Sequence, residues 1–303
     1  MTSARPETLA VIGAGNMGNA IASLFARAGW RVVLIDPSED ARNRSRQHLL
    51  GGSTDPALGE RLTWHAELES AHACTLVIEA APENLVLKQR IFASLEAICS
   101  PQTIIATNTS GLSISRLAES LQRPERFVGT HFFTPAEIIP LVEVVGGART
   151  DDATITRVLR ILRDTGKRPV HVRKDIPGFI ANRLQHALAR EAMALLQDGV
   201  ASAEDIDTVA RWALGIRLAL TGPLEQRDLN GLDIHLAIAE YLYPDLENSQ
   251  TPLRVLREKV EQGDLGVKSG RGFYDWNTPE RRQALRDKEA ALRELAAHLE
   301  TKP

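Results

Sequence analysis

The sequence predicts an α/β protein in which a Rossmann-like, largely parallel sheet domain is followed by an all-helical domain. Three observations carry that prediction. A glycine-rich turn separates an apolar run from a helical run near the start. Short apolar runs of strand character then alternate in part with helical stretches as far as Val172. Beyond Lys174-Asp-Ile-Pro-Gly178 no buried strand recurs, and everything to Tyr243 has helical period. The domain boundary is drawn there, giving residues 1–176 and 177–303.

Leu9-Ala-Val-Ile12 is a short apolar run, Gly13-Ala-Gly-Asn-Met-Gly18 breaks it, and Ala20 to Ala28 resumes at helical spacing before Gly29. Arg31-Val-Val-Leu-Ile-Asp36 is a buried strand ending in an acid, which completes a βαβ unit of about thirty residues. Pro37 to Cys74, including Gly51 to Pro56, reads as one helix and a loop. Strand runs follow at Thr75 to Ala80, Thr103 to Thr107, Arg126 to Phe133, Leu141 to Val145 and Pro169 to Val172, with helices at 84–99 and 152–165. In the second domain Ile180, Leu184, Ala187, Leu188 and Leu195 form one apolar helical stripe, and Glu191 interrupts it. Glu204 and Asp205 after Ser202 are the first-turn acids of a further helix. The tail from Pro279 to Glu300 spaces Leu285, Leu292, Leu295 and Leu299 near a heptad, as a packed tail or a helix docked on another.

Composition narrows the function. The 303 residues are 43% hydrophobic and 25% charged, an ordinary globular balance long enough for two domains. A net charge of -3 provides no basic field for nucleic acid or anionic lipid, so small-molecule chemistry is expected. Cys74 and Cys99 make neither a disulfide framework nor a metal site, and are expected reduced and packed. No run of 18 apolar residues occurs and the first residues lead straight into a strand, from which a soluble cytoplasmic protein is expected.

The chemistry begins in the glycine-rich turn. Gly13 permits the tight turn, Gly15 lets a pyrophosphate approach the backbone, and Gly18 lets helix pack on strand. Asn16 and Met17 open the helix whose N-terminus then faces the phosphates. Asp36 suits the ribose hydroxyls and repels a 2′-phosphate, so the expected cofactor is NAD rather than NADP. Further on, His131 in Val128-Gly-Thr-His-Phe-Phe-Thr-Pro135 and Glu143 in Pro140-Leu-Val-Glu-Val-Val145 lie on consecutive strand-like runs, as a general base with the carboxylate that orients it. A buried glutamate amid Leu-Val and Val-Val needs a partner or a protonated state, and the partner costs less. No metal site is expected.

Gly13 to Gly18, Glu79, Asn108-Thr-Ser110, His131-Phe-Phe, Leu141-Val-Glu143, Pro177-Gly-Phe-Ile-Ala-Asn-Arg183 and Gly270-Arg-Gly-Phe-Tyr274, in that order, resemble the 3-hydroxyacyl-CoA dehydrogenase family from Leu9 to about Trp276. The resemblance implies a Rossmann-like NAD domain, a helical domain that mediates homodimerisation, and a setting in fatty acid metabolism. It implies His131 as the base that takes the substrate hydroxyl proton, with Glu143 holding its imidazole. Ser110 and Asn182 match the family's polar groups that bond substrate or histidine. Read without it, Ser110 is equally a turn or cap residue and Asn182 a helix cap. Glu79, Glu83 and Lys88 match a stretch that lies near the family's cofactor. Lys268, Arg271 and Arg173 read as solvated charge, with contact to an acidic substrate as the alternative.

Two departures bear on the substrate. Thr134 stands where the family's acyl-CoA members carry asparagine after His-Phe-Phe, and Pro37 to Cys74 is too short for the long helical hairpin that helps those members hold CoA. The expected reaction is NAD-dependent oxidation of a 3-hydroxyacyl compound to the 3-oxo product, or its reverse. A free 3-hydroxy acid, as used by the related carnitine and gulonate dehydrogenases, is the alternative substrate. A catalytically idle NAD-binding protein is a third reading, against which His131, Glu143 and Asn182 argue together.

Overall fold

The computed structural model describes residues 7–51 and 55–300. The stretch read as loop at Gly52 to Thr54 lies outside them. The described chain forms two compact units that divide between Arg183 and Leu184. The sequence places the change at 176/177; the structure keeps the first residues of the following helix with the sheet, because Ala181 and Asn182 bond groups of the first unit.

The first unit is an eight-stranded sheet in the order β3-β2-β1-β4-β5-β6-β7-β8. Its strands are β1 Thr8–Ile12, β2 Arg31–Ile35, β3 Leu62–His65, β4 Leu76–Glu79, β5 Ile104–Thr107, β6 Phe127–Phe132, β7 Leu141–Gly146 and β8 Arg168–Val172. The first six follow the doubly wound dinucleotide order, with the switch between β1 and β4. All neighbours pair in parallel except β6 and β7, which are antiparallel. β4, β5 and β6 are buried throughout, as expected of strands covered on both faces.

Helices α1 Asn16–Arg27, α2 Glu39–Leu50, α3 Pro56–Arg61, α4 Leu85–Ile98, α5 Ile114–Leu117 and α6 Asp152–Asp164 belong to this unit. Ser38, Asn84, Ser113 and Asp151 each cap the helix that follows by accepting a backbone N–H. Two apolar clusters fill the unit, one around Leu9, Phe25 and Val128, the other around Ala10, Phe92 and Phe127. Cys74 and Cys99 lie buried and free in the second. Burial pushes the Cys74 thiol up to about 12 and raises that of Cys99, which keeps both protonated and inert.

One expectation fails here. Pro37 to Cys74 is not one helix and a loop: it holds α2, the six-residue α3, β3 and a 3₁₀ turn at Leu68–Ala71. β3 is a four-residue edge strand, Leu-Thr-Trp-His, half of whose residues face out. So short a run has no clear period of its own, and its pairing with β2 is what makes it a strand.

The second unit carries most of α7 Ala181–Gln197, then α8 Ala203–Val209, which runs through a π-helical stretch Ala210–Gly215 into α9 Ile216–Leu218. α10 Pro223–Asn230, α11 Leu232–Leu242, α12 Arg254–Glu261 and α13 Pro279–Glu300 complete it. Ser202 caps α8, with Glu204 and Asp205 in the first turn as the sequence indicates. Glu191, the polar break in the α7 stripe, accepts the N–H of Glu247. Among the described residues the stripe is covered only in part: Leu184 and Leu188 remain about half exposed. From α8 through α12 no helical residue is buried.

Candidate active site

The three glycines of the turn differ in what surrounds them. Gly13 has φ +106, and a Cβ there would lie 2.8 Å from the Ala80 carbonyl oxygen. A Cβ on Gly18 would lie 1.8 Å from the Gly13 carbonyl oxygen. A Cβ on Gly15 would meet nothing within 4 Å, although Gly15 precedes α1 at its N-terminus. Gly13 and Gly18 are thus required by the chain itself, whereas Gly15 leaves open space at an N-terminus with no side-chain cap, as close approach of a pyrophosphate needs. Asp36, at the end of β2, accepts the Ala14 N–H at 2.9 Å and the Ser38 N–H at 2.9 Å. A cavity of about 1010 Å³ opens at these strand ends, lined by Gly13, Gly15, Asn16, Asp36, Ala81 and Pro82 among others. The cradle, the acid and the volume fit a dinucleotide.

His131 and Glu143 are opposite residues of the antiparallel β6–β7 pair, so the register alone sets their side chains beside one another. His131 Nδ1 lies 2.9 Å from Glu143 Oε2, and both residues are buried. The other carboxylate oxygen accepts the N–H groups of Ile180 and Ala181, each at 2.9 Å. Burial alone would raise the Glu143 pKa, but the bonds from His131, Ala181 and Ile180 outweigh it and hold the carboxyl below its ordinary value. An ionised carboxylate only accepts, so Nδ1 carries a proton, and in the neutral imidazole Nε2 is the ring nitrogen left with a lone pair. That arrangement can take a proton from a hydroxyl. Phe133 flanks the imidazole, with ring centroids 4.4 Å apart.

Ser110 and Asn182 meet: the Asn182 amide donates to the Ser110 carbonyl oxygen at 2.7 Å, which ties the start of α7 to the loop after β5. The exposed Ser110 hydroxyl is on that loop. Glu83 joins it from the other side, accepting the Ser110 N–H at 3.0 Å and the Thr109 hydroxyl at 2.5 Å. Met17 lies near the same region of sequence departure, since the Thr134 hydroxyl is 3.2 Å from its sulfur.

Lys88, matched to a stretch near the family's cofactor, is held by protein groups. It is 1% exposed, and its ammonium bonds Glu79 Oε1 at 2.7 Å, Glu79 Oε2 at 2.9 Å and the Ala81 carbonyl at 3.1 Å. It also lies 3.4 Å from Glu83. Its donors are committed inside the protein, so the structure gives it the task of holding Glu79 and Glu83. Glu79 is fully buried; burial pushes its carboxyl up, against the opposing charge of Lys88 and bonds from Lys88, Thr107 and the Ala81 N–H. Sequence reasoning placed Asn108 within a family motif but gave it no role; its side-chain oxygen accepts the Phe132 N–H at 2.9 Å beside His131. The same reasoning passed over Asp175, which accepts the Ser113 hydroxyl and the Ser115 N–H and so pins the same loop. The polar run Thr107-Asn-Thr-Ser110 at a strand's end was the available signal for the first; nothing local marks the second. No group of three or more potential metal ligands occurs among the described residues.

Comparison with known proteins agrees with this geometry. The 3-hydroxyacyl-CoA dehydrogenase NAD binding domain matches residues 8–176, and the C-terminal domain of the same family matches residues 178–276. The 5-formyl-3-hydroxy-2-methylpyridine 4-carboxylate 5-dehydrogenase of Mesorhizobium japonicum is 36% identical over 294 residues, covering 94% of this chain and 95% of that protein. A crystal structure of an enzyme of that activity, described as an NAD+ dependent dismutase, has a TM-score of 0.89 at 34% identity, over 98% of this chain and all of the other. The (S)-3-hydroxybutyryl-CoA dehydrogenase from Ralstonia eutropha has a TM-score of 0.73 at 35% identity, over 90% of this chain and all of the other. The chain belongs to the 3-hydroxyacyl-CoA dehydrogenase family, an oxidoreductase whose cofactor is NAD.

Proposed function

We propose that the protein oxidises a hydroxyl-bearing carbon of a small free acid, with His131 as base, and works without a CoA handle. The observation that supports the reaction best is the buried His131–Glu143 pair, whose geometry leaves Nε2 as the proton acceptor. His131 takes the hydroxyl proton, and Glu143 stabilises the imidazolium that forms. The Ser110 hydroxyl donates to the substrate oxygen, and Asn182 holds the Ser110 loop in place. Bound NAD supplies the acceptor for the hydride that leaves the same carbon. Glu83, kept in place by Lys88, Thr109 and Ser110, borders the cofactor. Reduction of the oxo compound runs through the same groups in reverse.

The substrate class rests on other observations. Between β2 and β4, α2 has 12 residues and α3 only six, which is little material for the long hairpin that serves CoA in the family. The likeness to a dehydrogenase named for a pyridine carboxylate is greater over the whole chain than that to a hydroxybutyryl-CoA enzyme, at nearly equal identity. Binding energy then comes from groups near the reacting carbon, and a remote nucleotide adds little to the transition state. A short 3-hydroxyacyl-CoA compared with its free acid, followed by NADH absorbance, should give kcat/KM values near parity or in favour of the acid. A thioester preference of about a thousandfold or more would restore the acyl-CoA reading.

The second part of the reading is a homodimer through the helical unit. Trp212 is 66% exposed, Leu224 81% and Leu236 63%, and large apolar side chains of this kind recur on successive helices. Apolar surface on that scale is covered in a functional protein, and a symmetric second copy is the commonest cover. Sedimentation at micromolar concentration should return twice the 33.2 kDa chain mass. A strictly monomeric species would refute it.

A further inference from the structure

The segment Ile176-Pro-Gly-Phe179 makes a turn in which the Phe179 N–H returns to the Ile176 carbonyl at 3.0 Å. Gly178 has φ +76, which glycine adopts freely. Phe179 then continues with φ +50, and among the described residues no other non-glycine has a positive φ. A bulky aromatic is poorly suited to that region, and such a conformation persists only where its surroundings over-determine it. Here they do. The Phe179 ring is completely buried, in the apolar cluster that includes Ile114, Val145 and Val172. The two residues that follow, Ile180 and Ala181, direct consecutive N–H groups at one oxygen of Glu143. Consecutive amides converging after a left-handed residue form a concavity for an anion. In this protein the anion is the carboxylate that holds His131.

We propose that Phe179 is a positioning residue for the dyad: its buried ring holds the chain in the left-handed turn that aims the Ile180 and Ala181 amides at Glu143, and so keeps that carboxylate on His131 Nδ1. The inference rests on the dyad reading given above. Phe179 also lies beside the imidazole, ring centroids 5.8 Å apart, so ring and backbone act on the two members of one pair. A purely structural phenylalanine would be served by an ordinary backbone at this position. The strained one is explained by what it does for the next two amides.

The test is the tautomer of His131, read in the full-length protein labelled with 15N-histidine and needing no substrate; the His131→Gln variant assigns the signal. In the wild type the proton sits on Nδ1. Two variants probe the turn. Phe179→Leu keeps an apolar side chain but loses the ring that anchors the left-handed residue. Ala181→Pro deletes one of the two N–H donors at the first position of α7, where proline is well tolerated, and so guards against a Phe179 variant that fails to fold. In each folded variant about half or more of the Nδ1–H signal should pass to the Nε2–H form. Retention of the wild-type tautomer in both overturns the role of Phe179 and leaves the dyad standing. Absence of the Nδ1–H form from the wild type overturns the dyad, and the proposal with it.

Discussion

Replacing His131 by glutamine lowers turnover by about 10² to 10⁴ while NAD affinity stays within a few-fold of the wild type. The two properties separate because they rest on different parts of the sheet. His131 is on β6 and meets Glu143 across the β6–β7 pair. The phosphate cradle is made by the turn after β1 and by Asp36 after β2. Glutamine can still bond Glu143 but has no basic nitrogen, so the proton has nowhere to go when the hydride leaves. Glu143→Gln costs less, since it removes the compensating charge and leaves the base. NADH absorbance gives the turnover, and quenching of tryptophan fluorescence gives NAD affinity. Most of the activity surviving in His131→Gln would show that another group is the base.

Gly18→Ala and Gly15→Ala should fail in opposite ways. At Gly18 the new Cβ would lie 1.8 Å from the Gly13 carbonyl oxygen and 3.0 Å from its carbon, both backbone atoms that cannot rotate aside. Helix α1 must move off the turn, which disturbs the Ala14 N–H bond to Asp36 and costs about 1–3 kcal/mol or more in stability. NAD affinity falls with it, about tenfold for each 1.4 kcal/mol lost from binding. At Gly15 the Cβ meets no protein atom within 4 Å, so the melting temperature holds. The methyl group instead stands where the pyrophosphate approaches, and affinity alone falls. Thermal unfolding with and without NAD distinguishes the two. A Gly15→Ala protein that binds NAD as the wild type does would place the phosphates elsewhere.

Much of the first unit was readable because each signal was local. The run Leu9–Ile12, the glycines and the acid at 36 sit within one βαβ unit, and the buried strands announce themselves as Val- and Ile-rich runs bounded by polar residues. The His131–Glu143 pair was readable for a different reason. Each residue was anomalous in an apolar strand, and consecutive strands commonly pair. Lys88 was only partly readable. Its motif places it near the family's cofactor, but its burial and its bonds to Glu79 and Ala81 depend on β4 and α4 packing together. β3 was missed because four residues with two outward side chains carry little periodic signal, and only pairing with β2 makes them a strand. In the helical unit, the apolar stripe on α7 was visible in the sequence, but a stripe records that a face is apolar and does not say what covers it.

By itself, the sequence indicated the fold class, the dinucleotide turn, NAD as the cofactor and the pairing of His131 with Glu143, since these depend on residue types at short spacings. Only the tertiary structure decided that Glu143 is shared between His131 and the amides of Ile180 and Ala181, that Asn182 reaches the Ser110 carbonyl, and that Phe179 is left-handed. The contacts to backbone groups among these join residues 37 to 72 positions apart. A backbone N–H is the same in every residue but proline, so its direction leaves no mark on the sequence and is set by the packing that fixes the chain.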